Sequence, residues 1–198
     1  MILHICCAPC GGGCTERLLE EKKTPVLFYS NSNLNSREEF ERRLESVKRL
    51  AELQQLELVV DPYDHEAWLQ AVAGFEAEPE QGERCRRCFG FSLSRSAAFA
   101  EGRPFCTTLT VSPRKRSQVI FETGSAWDNF VPEDFKKRDG YRRSCEIARQ
   151  NGFYRQNYCG CEFSLRDRGG NDENDLSGQY RNYCSKTRSP AENAPLFL

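Results

Sequence analysis

Short apolar runs alternate with stretches of helical periodicity along most of the chain. The run Ile2 to Ile5 predicts a strand, and a helical stretch carrying Leu18 and Leu19 follows it. A second strand, Pro25 to Tyr29, ends in the turn-forming sequence Ser30-Asn31-Ser32-Asn33. Ser36 and Glu39 have the spacing of a capping box. The helix they open places Phe40, Leu44, Val47 and Ala51 on one face, with Glu41, Arg42, Glu45, Lys48 and Arg49 on a solvated opposite face. A third strand over Leu56 to Val60 precedes Asp64, the N-cap of a short helix closed by Gly74.

Residues 75 to 84 read as an acidic loop. Cys85-Arg86-Arg87-Cys88 opens a helix with Phe89, Leu93, Ala97 and Ala100 facing inward and Gly102 as its stop. Phe105 to Val111, rich in β-favouring residues, predicts a fourth strand. Ser112-Pro113 predicts the start of a helix ending near Gly124, and the stretch Trp127 to Phe135 one short strand. A last helix spans about Tyr141 to Gln150 and stops at Gly152. Tyr154 to Leu165 reads as a loop, and the Gly-, Asn-, Asp- and Ser-rich sequence from Arg166 onward as a surface tail. Strands alternating with helices define an α/β class with a parallel sheet and flanking helices. Ligands of such sheets sit at the carboxyl ends of the strands, where Cys6, Cys7 and Cys10 fall.

At 198 residues the chain fits one such domain and needs no covalent staple to fold. Nothing at the N-terminus resembles a signal peptide, and no run approaches the ~20 apolar residues of a membrane span, so a cytoplasmic location is expected. The formal net charge of −1 decides nothing about a nucleic-acid partner, which depends on local patches.

The eleven cysteines change the picture. An odd count does not pair completely within one chain, and a reducing compartment disfavours disulfides. Seven fall in three groups: Cys6, Cys7 and Cys10; Cys85 and Cys88; Cys159 and Cys161. Metal ligation explains this clustering. Two groups stand at predicted helix starts, where thiolates and a bound anionic cluster are favoured. Gly11, Gly12 and Gly13 are read as letting the backbone approach a bulky inorganic group. Seven thiols exceed the four that one zinc or one cubane takes, leaving a cluster plus a separate metal, or a cluster plus reactive thiols. A zinc-stabilised binding module would leave Cys6, Cys7 and Cys10 unused. A thiol–disulfide oxidoreductase built on Cys7 and Cys10 would leave the other two groups unexplained.

Four ordered segments carry a resemblance: Leu3-His4-Ile5-Cys6-Cys7-Ala8-Pro9-Cys10, Arg84-Cys85-Arg86-Arg87-Cys88-Phe89, Thr107-Thr108-Leu109-Thr110-Val111-Ser112-Pro113 and Tyr154-Arg155-Gln156-Asn157-Tyr158-Cys159-Gly160-Cys161-Glu162-Phe163-Ser164. They closely resemble the cobalamin-independent epoxyqueuosine reductases, from about residue 2 to 165. Phe89 departs from a tyrosine common in that family. Asp134-Phe135-Lys136 resembles an Asp-Phe-Arg segment but lacks the arginine fork. An ATP-dependent tRNA-thiolating enzyme would share the fold, yet cysteines replace its phosphate-binding loop.

The resemblance implies an adenine-nucleotide α-hydrolase-like fold, with residues 1–165 as an iron–sulfur catalytic domain and 166–198 as a polar C-terminal extension. It implies a 4Fe–4S cluster and an additional metal ion, expected to be iron. The reaction implied is reductive removal of the epoxide oxygen of epoxyqueuosine at the tRNA wobble position, fed by an electron donor the sequence does not identify. The seven grouped cysteines are assigned jointly to the metal site. Asp134, Tyr154 and Glu162, with Tyr158 beside them, are candidate proton donors by type and nearness to the motifs. His4 reads as a satisfied core histidine, while Asn31 and Asn33 are candidate substrate contacts. An anticodon loop requires cations for phosphates and flat groups for stacking. Arg114, Lys115, Arg116, Lys136, Arg142 and Arg155 are the expected cations, with Phe135, Tyr141 and Tyr154 nearby in sequence.

Overall fold

A computed structural model describes residues 1–167. Four parallel strands, β1 (Ile2–Ile5), β2 (Val26–Tyr29), β3 (Leu58–Val60) and β4 (Phe105–Thr107), stand in the order β3-β2-β1-β4. Registers of Ile5 with Tyr29, His4 with Thr107 and Leu27 with Leu58 fix the sheet. Its helices are α1 (Ala8–Glu20), α2 (Arg37–Gln54), α3 (His65–Ala71), α4 (Glu83–Ala100), α5 (Ser117–Gly124), α6 (Gly140–Gln150) and α7 (Glu162–Arg166). Among the described residues no helix is long and apolar enough to cross a membrane.

The central strand is hydrophobic on both faces because both are covered. Leu3 and Ile5 join Leu18, Leu44, Val47 and Ile147 in one core, whereas Ile2 joins Phe28, Leu93, Phe105 and Ile120 in another. Helices α1, α2 and α6 therefore cover one face and α4 and α5 the other. The expected inward face of α2 is buried, and its charged face is exposed.

Several expected elements differ. The fourth strand ends at Thr107, and Thr108–Val111 form a short 3-10 turn. The Thr107 hydroxyl accepts from Leu109 N at 3.1 Å, and the Thr110 hydroxyl donates to Glu133 O at 2.8 Å. Local side-chain bonds thus compete with the ladder. The helix expected from Ser112 begins only at Ser117. The stretch from Trp127 to Phe135 contributes one isolated parallel bridge, Phe105 with Phe130, rather than a strand. The loop from Tyr154 holds the additional helix α7. Half of the capping box forms: Ser36 accepts from Glu39 N at 3.2 Å, but the Glu39 carboxylate pairs with Arg43 at 2.7 Å instead of closing back.

The glycine triplet also departs from expectation. Gly11, Gly12 and Gly13 lie inside α1, away from the turn. A Cβ on Gly12 would meet Ile147 Cγ2 at 2.8 Å, and one on Gly13 would meet Gly140 O at 2.9 Å and Ser144 N at 3.0 Å. Their bareness lets α1 settle onto α6 and the sheet. Of the expected polar extension, Arg166 and Asp167 close α7, and the rest, with Cys184, lies outside the described residues.

Candidate metal centre

Strand order reverses between β1 and β4, the switch point at whose carboxyl side open sheets place ligands. Both strand ends there carry chemistry. After Ile5, Cys6 and Cys7 form the turn, Cys7 is the N-cap of α1, and Cys10 sits in the first helical turn. The Thr108 hydroxyl, just beyond β4, accepts from Cys6 N at 3.2 Å. The sulfurs of Cys6, Cys7 and Cys10 all lie within 4.8 Å of one another.

The remaining four grouped cysteines gather beside them. Cys85 and Cys88 stand on the opening turns of α4, and Cys161 is the N-cap of α7, two residues after Cys159. All four line a narrow cleft that adjoins a cavity of about 680 Å³, into which Cys6, Cys10, Cys88 and Cys159 face. Arg84, almost fully buried, anchors this end. It donates to Glu76 O and Glu78 O and pairs with Asp167 at 3.2 Å, folding the acidic loop onto α7. All seven sulfurs are free thiols, so no disulfide joins them.

The electrostatics favour a cation at the first group. Hydrogen bonds from Cys10 and Cys6 hold Cys7 well below the usual thiol range against the effect of burial. The Cys10 contact would lower Cys6, but hydrogen bonding to Cys7 and burial prevail and push it up to about 12. Three adjacent thiols cannot all ionise without a metal to offset their repulsion, and metal binding would release their protons. In the second group burial, reinforced by Cys159, pushes Cys85 up to about 11 and raises Cys88 and Cys161. Burial alone would lower Lys115, yet the sulfurs of Cys159, Cys6, Cys10 and Cys7 outweigh it and hold the amine well above its ordinary value.

Two features test whether a cluster fits. No three of the sulfurs of Cys85, Cys88, Cys159 and Cys161 come within 4.8 Å of one another. Tetrahedral zinc at ~2.3 Å from sulfur would bring its thiolates to about 3.8 Å apart. A cubane takes four thiolates, each on a different iron, which is the number this group offers. Beside the sulfurs, Arg43 Nη2 and Trp68 Nε1 are buried donors without a hydrogen-bond partner. Orphaned donors of this kind match an anionic group.

Of the expected proton donors, Asp134, Tyr154 and Glu162 do not line the cavity. Asp134 accepts from the Ser117 hydroxyl at 3.0 Å and from Lys136 N at 3.3 Å, which ties the loop ahead of α6 to the start of α5. Tyr154 donates to Glu39 at 3.0 Å beneath the Arg42 guanidinium. Glu162 lies 3.2 Å from His65 Nε2. Tyr158 does line the cavity, but its hydroxyl donates to Asn35 at 2.7 Å. His4 is a satisfied core residue: Nε2 donates to Ser30 O at 2.9 Å and Nδ1 lies 2.8 Å from the Thr107 hydroxyl. Burial keeps it neutral by lowering its pKa. Asn31 and Asn33 line the cavity, and the Asn31 amide donates to Ile5 O at 3.2 Å.

The basic residues divide. Arg114, Lys115 and Arg155 line the cavity, and Arg116 joins Arg114 and Lys115 along the cleft. Lys136 Nζ instead donates to Lys115 O at 2.5 Å and Ser117 Oγ at 2.7 Å. Lysine's compact charge therefore pins the Lys115 loop without needing an arginine fork. Arg142 is engaged with Asp139 and Glu146 along α6. Sequence reasoning missed Arg43, Trp68 and Gln156, whose Nε2 donates to Cys7 Sγ at 3.3 Å.

Fold and site together define an α/β protein with a cysteine-built centre, able to hold metal, at the switch point of its sheet. A model of the family described as "Epoxyqueuosine reductase QueH" matches residues 1–167, and the chain belongs to that family. The epoxyqueuosine reductase QueH of Streptococcus pyogenes is 33% identical over 183 residues, spanning 85% of this chain and 71% of its own. The Acinetobacter baylyi relative of that name is 34% identical over 176 residues, 84% and 81% of the two chains. That of Thermotoga maritima is 33% identical over 179 residues, 85% and 91%. Family membership places the chain among the oxidoreductases.

Proposed function

We propose that the chain reduces epoxyqueuosine at the wobble position of a tRNA anticodon to queuosine, using a 4Fe–4S cluster and an adjacent metal ion. The observation that carries this reading is the gathering of free thiols, as groups of three and four, at one end of the sheet, with Cys6 and Cys10 of the first group and Cys88 and Cys159 of the second facing one cavity. Cys85, Cys88, Cys159 and Cys161 would hold the cluster, whose ligand count they match. Cys6, Cys7 and Cys10 would hold the ion. When bound, the cluster supplies electrons singly and the ion supplies an electrophile for the epoxide oxygen. Overall, two electrons and two protons convert the epoxide to an alkene and one water.

The chain's own residues shape the rest. The cavity falls in the size range of small-ligand sites, enough for a splayed-out nucleoside and for shielding its reacting edge from water. Lys115 places a positive charge where the oxygen gains negative charge. Tyr141 and Tyr158 offer flat surfaces, and Arg155 donates to the Tyr141 hydroxyl at 3.0 Å. Arg114, Arg116 and Arg155 supply charge for the loop's phosphates. Residues 1–165 would form the catalytic domain, fed by an external electron donor.

Anaerobic purification with iron, acid-labile sulfide and zinc per chain, followed by turnover on epoxyqueuosine-containing tRNA, tests the reading. About four or more irons with matching sulfide, and queuosine as product, are expected. A single zinc without sulfide after anaerobic reconstitution would overturn it. For the RNA contact, Arg116→Ala and Arg155→Ala are each expected to weaken tRNA binding and reduce its salt slope by about 0.7. An unchanged slope removes that residue from the interface.

A further inference from the structure

Arg43 is a charged residue on the buried face of α2, only 2% exposed, and nothing in the reaction above requires it. Three of its surroundings lead to the cysteines. Its Nη1 donates to Cys159 O at 3.2 Å. Both Nη atoms would lie 3.2–3.3 Å from a Cβ built on Gly160, a position at φ +137° between Cys159 and Cys161. Its charge also acts on Cys7, in the other cysteine group. Glu39 accepts from its Nε at 2.7 Å, and Tyr158 lies against its guanidinium, 5.4 Å from ring centre to Cζ. Nη2 alone is buried with no partner.

An isolated buried cation is costly, and the single Glu39 carboxylate leaves one edge of the guanidinium unanswered. The unanswered edge lies on the side of the Cys159-Gly160-Cys161 segment. We infer that Arg43 is a positioning and charge-setting residue: it holds that segment through Cys159 O and directs its spare Nη2 donor at the anionic centre bound there. The inference rests on the cluster reading above. Positive charge and hydrogen bonds near an iron–sulfur centre stabilise its reduced form and raise its potential. Glu39 moderates that influence.

The test is an anaerobic redox titration of the loaded protein, followed by its electron paramagnetic resonance signal. Arg43→Met is expected to lower the midpoint potential, changing the reduced-to-oxidised ratio at fixed potential about tenfold, or ~59 mV for one electron. Arg43→Lys keeps the charge and should recover part of the shift. Glu39→Gln removes the moderating charge and should move the potential upward, giving a readout of opposite sign even where Arg43→Met fails to keep its cluster. A merely structural Arg43 would lower stability without these signed shifts. A loaded cluster whose potential is unmoved in Arg43→Met, or moves downward or not at all in Glu39→Gln, overturns the role of Arg43 alone. Absence of iron and sulfide from the unaltered chain overturns the cluster reading and this inference with it.

Discussion

Serine at Cys161 is expected to leave the chain folded but without the proposed cluster, and to lower turnover by more than about 100-fold. That threshold exceeds the ~10–100-fold cost of losing an outer partner of a metal site, so it separates a ligand from a bystander. Cys161 is buried against Trp68 and is the N-cap of α7, and serine also suits an N-cap. The local backbone should therefore survive the change while the soft thiolate is lost. Cys14→Ser is the matched control. Cys14 is fully buried in α1, outside both cysteine groups, and its thiol donates to Cys10 O at 3.1 Å. A serine hydroxyl can make the same bond, so iron and sulfide per chain should stay intact. Metal analysis beside circular dichroism reads both variants. Retained iron and turnover in folded Cys161→Ser would remove Cys161 from the site. Equal iron loss in both variants would show that general destabilisation, and not ligation, governs assembly.

The alternation of strands and helices was legible because β1 is a short run apolar except for His4 and α2 keeps its period over 18 residues. The fourth strand was over-read because β propensity reports fit to a pleated surface. The hydroxyls of Thr107 and Thr110 bond locally and to Glu133 instead. That the cysteines form a cluster able to bind metal was legible from their spacing, but their spatial grouping into three and four was not. It depends on Cys85 and Cys88 meeting Cys159 and Cys161 across more than seventy positions of chain. The candidate proton donors were chosen by nearness to motifs, and sequence nearness does not fix which side of an irregular segment faces the cavity. Of Tyr154 and Tyr158, only the second lines the cavity. Arg43 did leave a signal. It lies three residues after Phe40 and beside Leu44, a charge on the apolar face of its helix.

Alanine at Gly13 and at Gly140 is expected to destabilise the chain, by about 1–3 kcal/mol at Gly13 and more at Gly140. At Gly13 the obstacles to a Cβ include backbone atoms, Gly140 O and Ser144 N, which cannot swing aside as a side-chain tip would. At Gly140 the new Cβ would run into the Phe135 carbonyl. Gly90→Ala should have the opposite sign. It is interior to α4, and its Cβ would find Thr123 Cγ2 at an ordinary 3.6 Å. Removing a helical glycine there should gain ~0.5–1 kcal/mol. For a chain near this length each kcal/mol moves the Tm by about 2–4 °C, so anaerobic thermal unfolding resolves both signs. Iron per folded chain then separates two meanings of the glycine triplet. If α1 needs it to seat against α6, Gly13→Ala lowers the Tm while the folded fraction keeps its iron. If the triplet instead clears space for an inorganic group, iron falls and the Tm of the metal-free protein stays where it was. The 2.9 Å approach to Gly140 O favours the first outcome, because the obstacle is another helix.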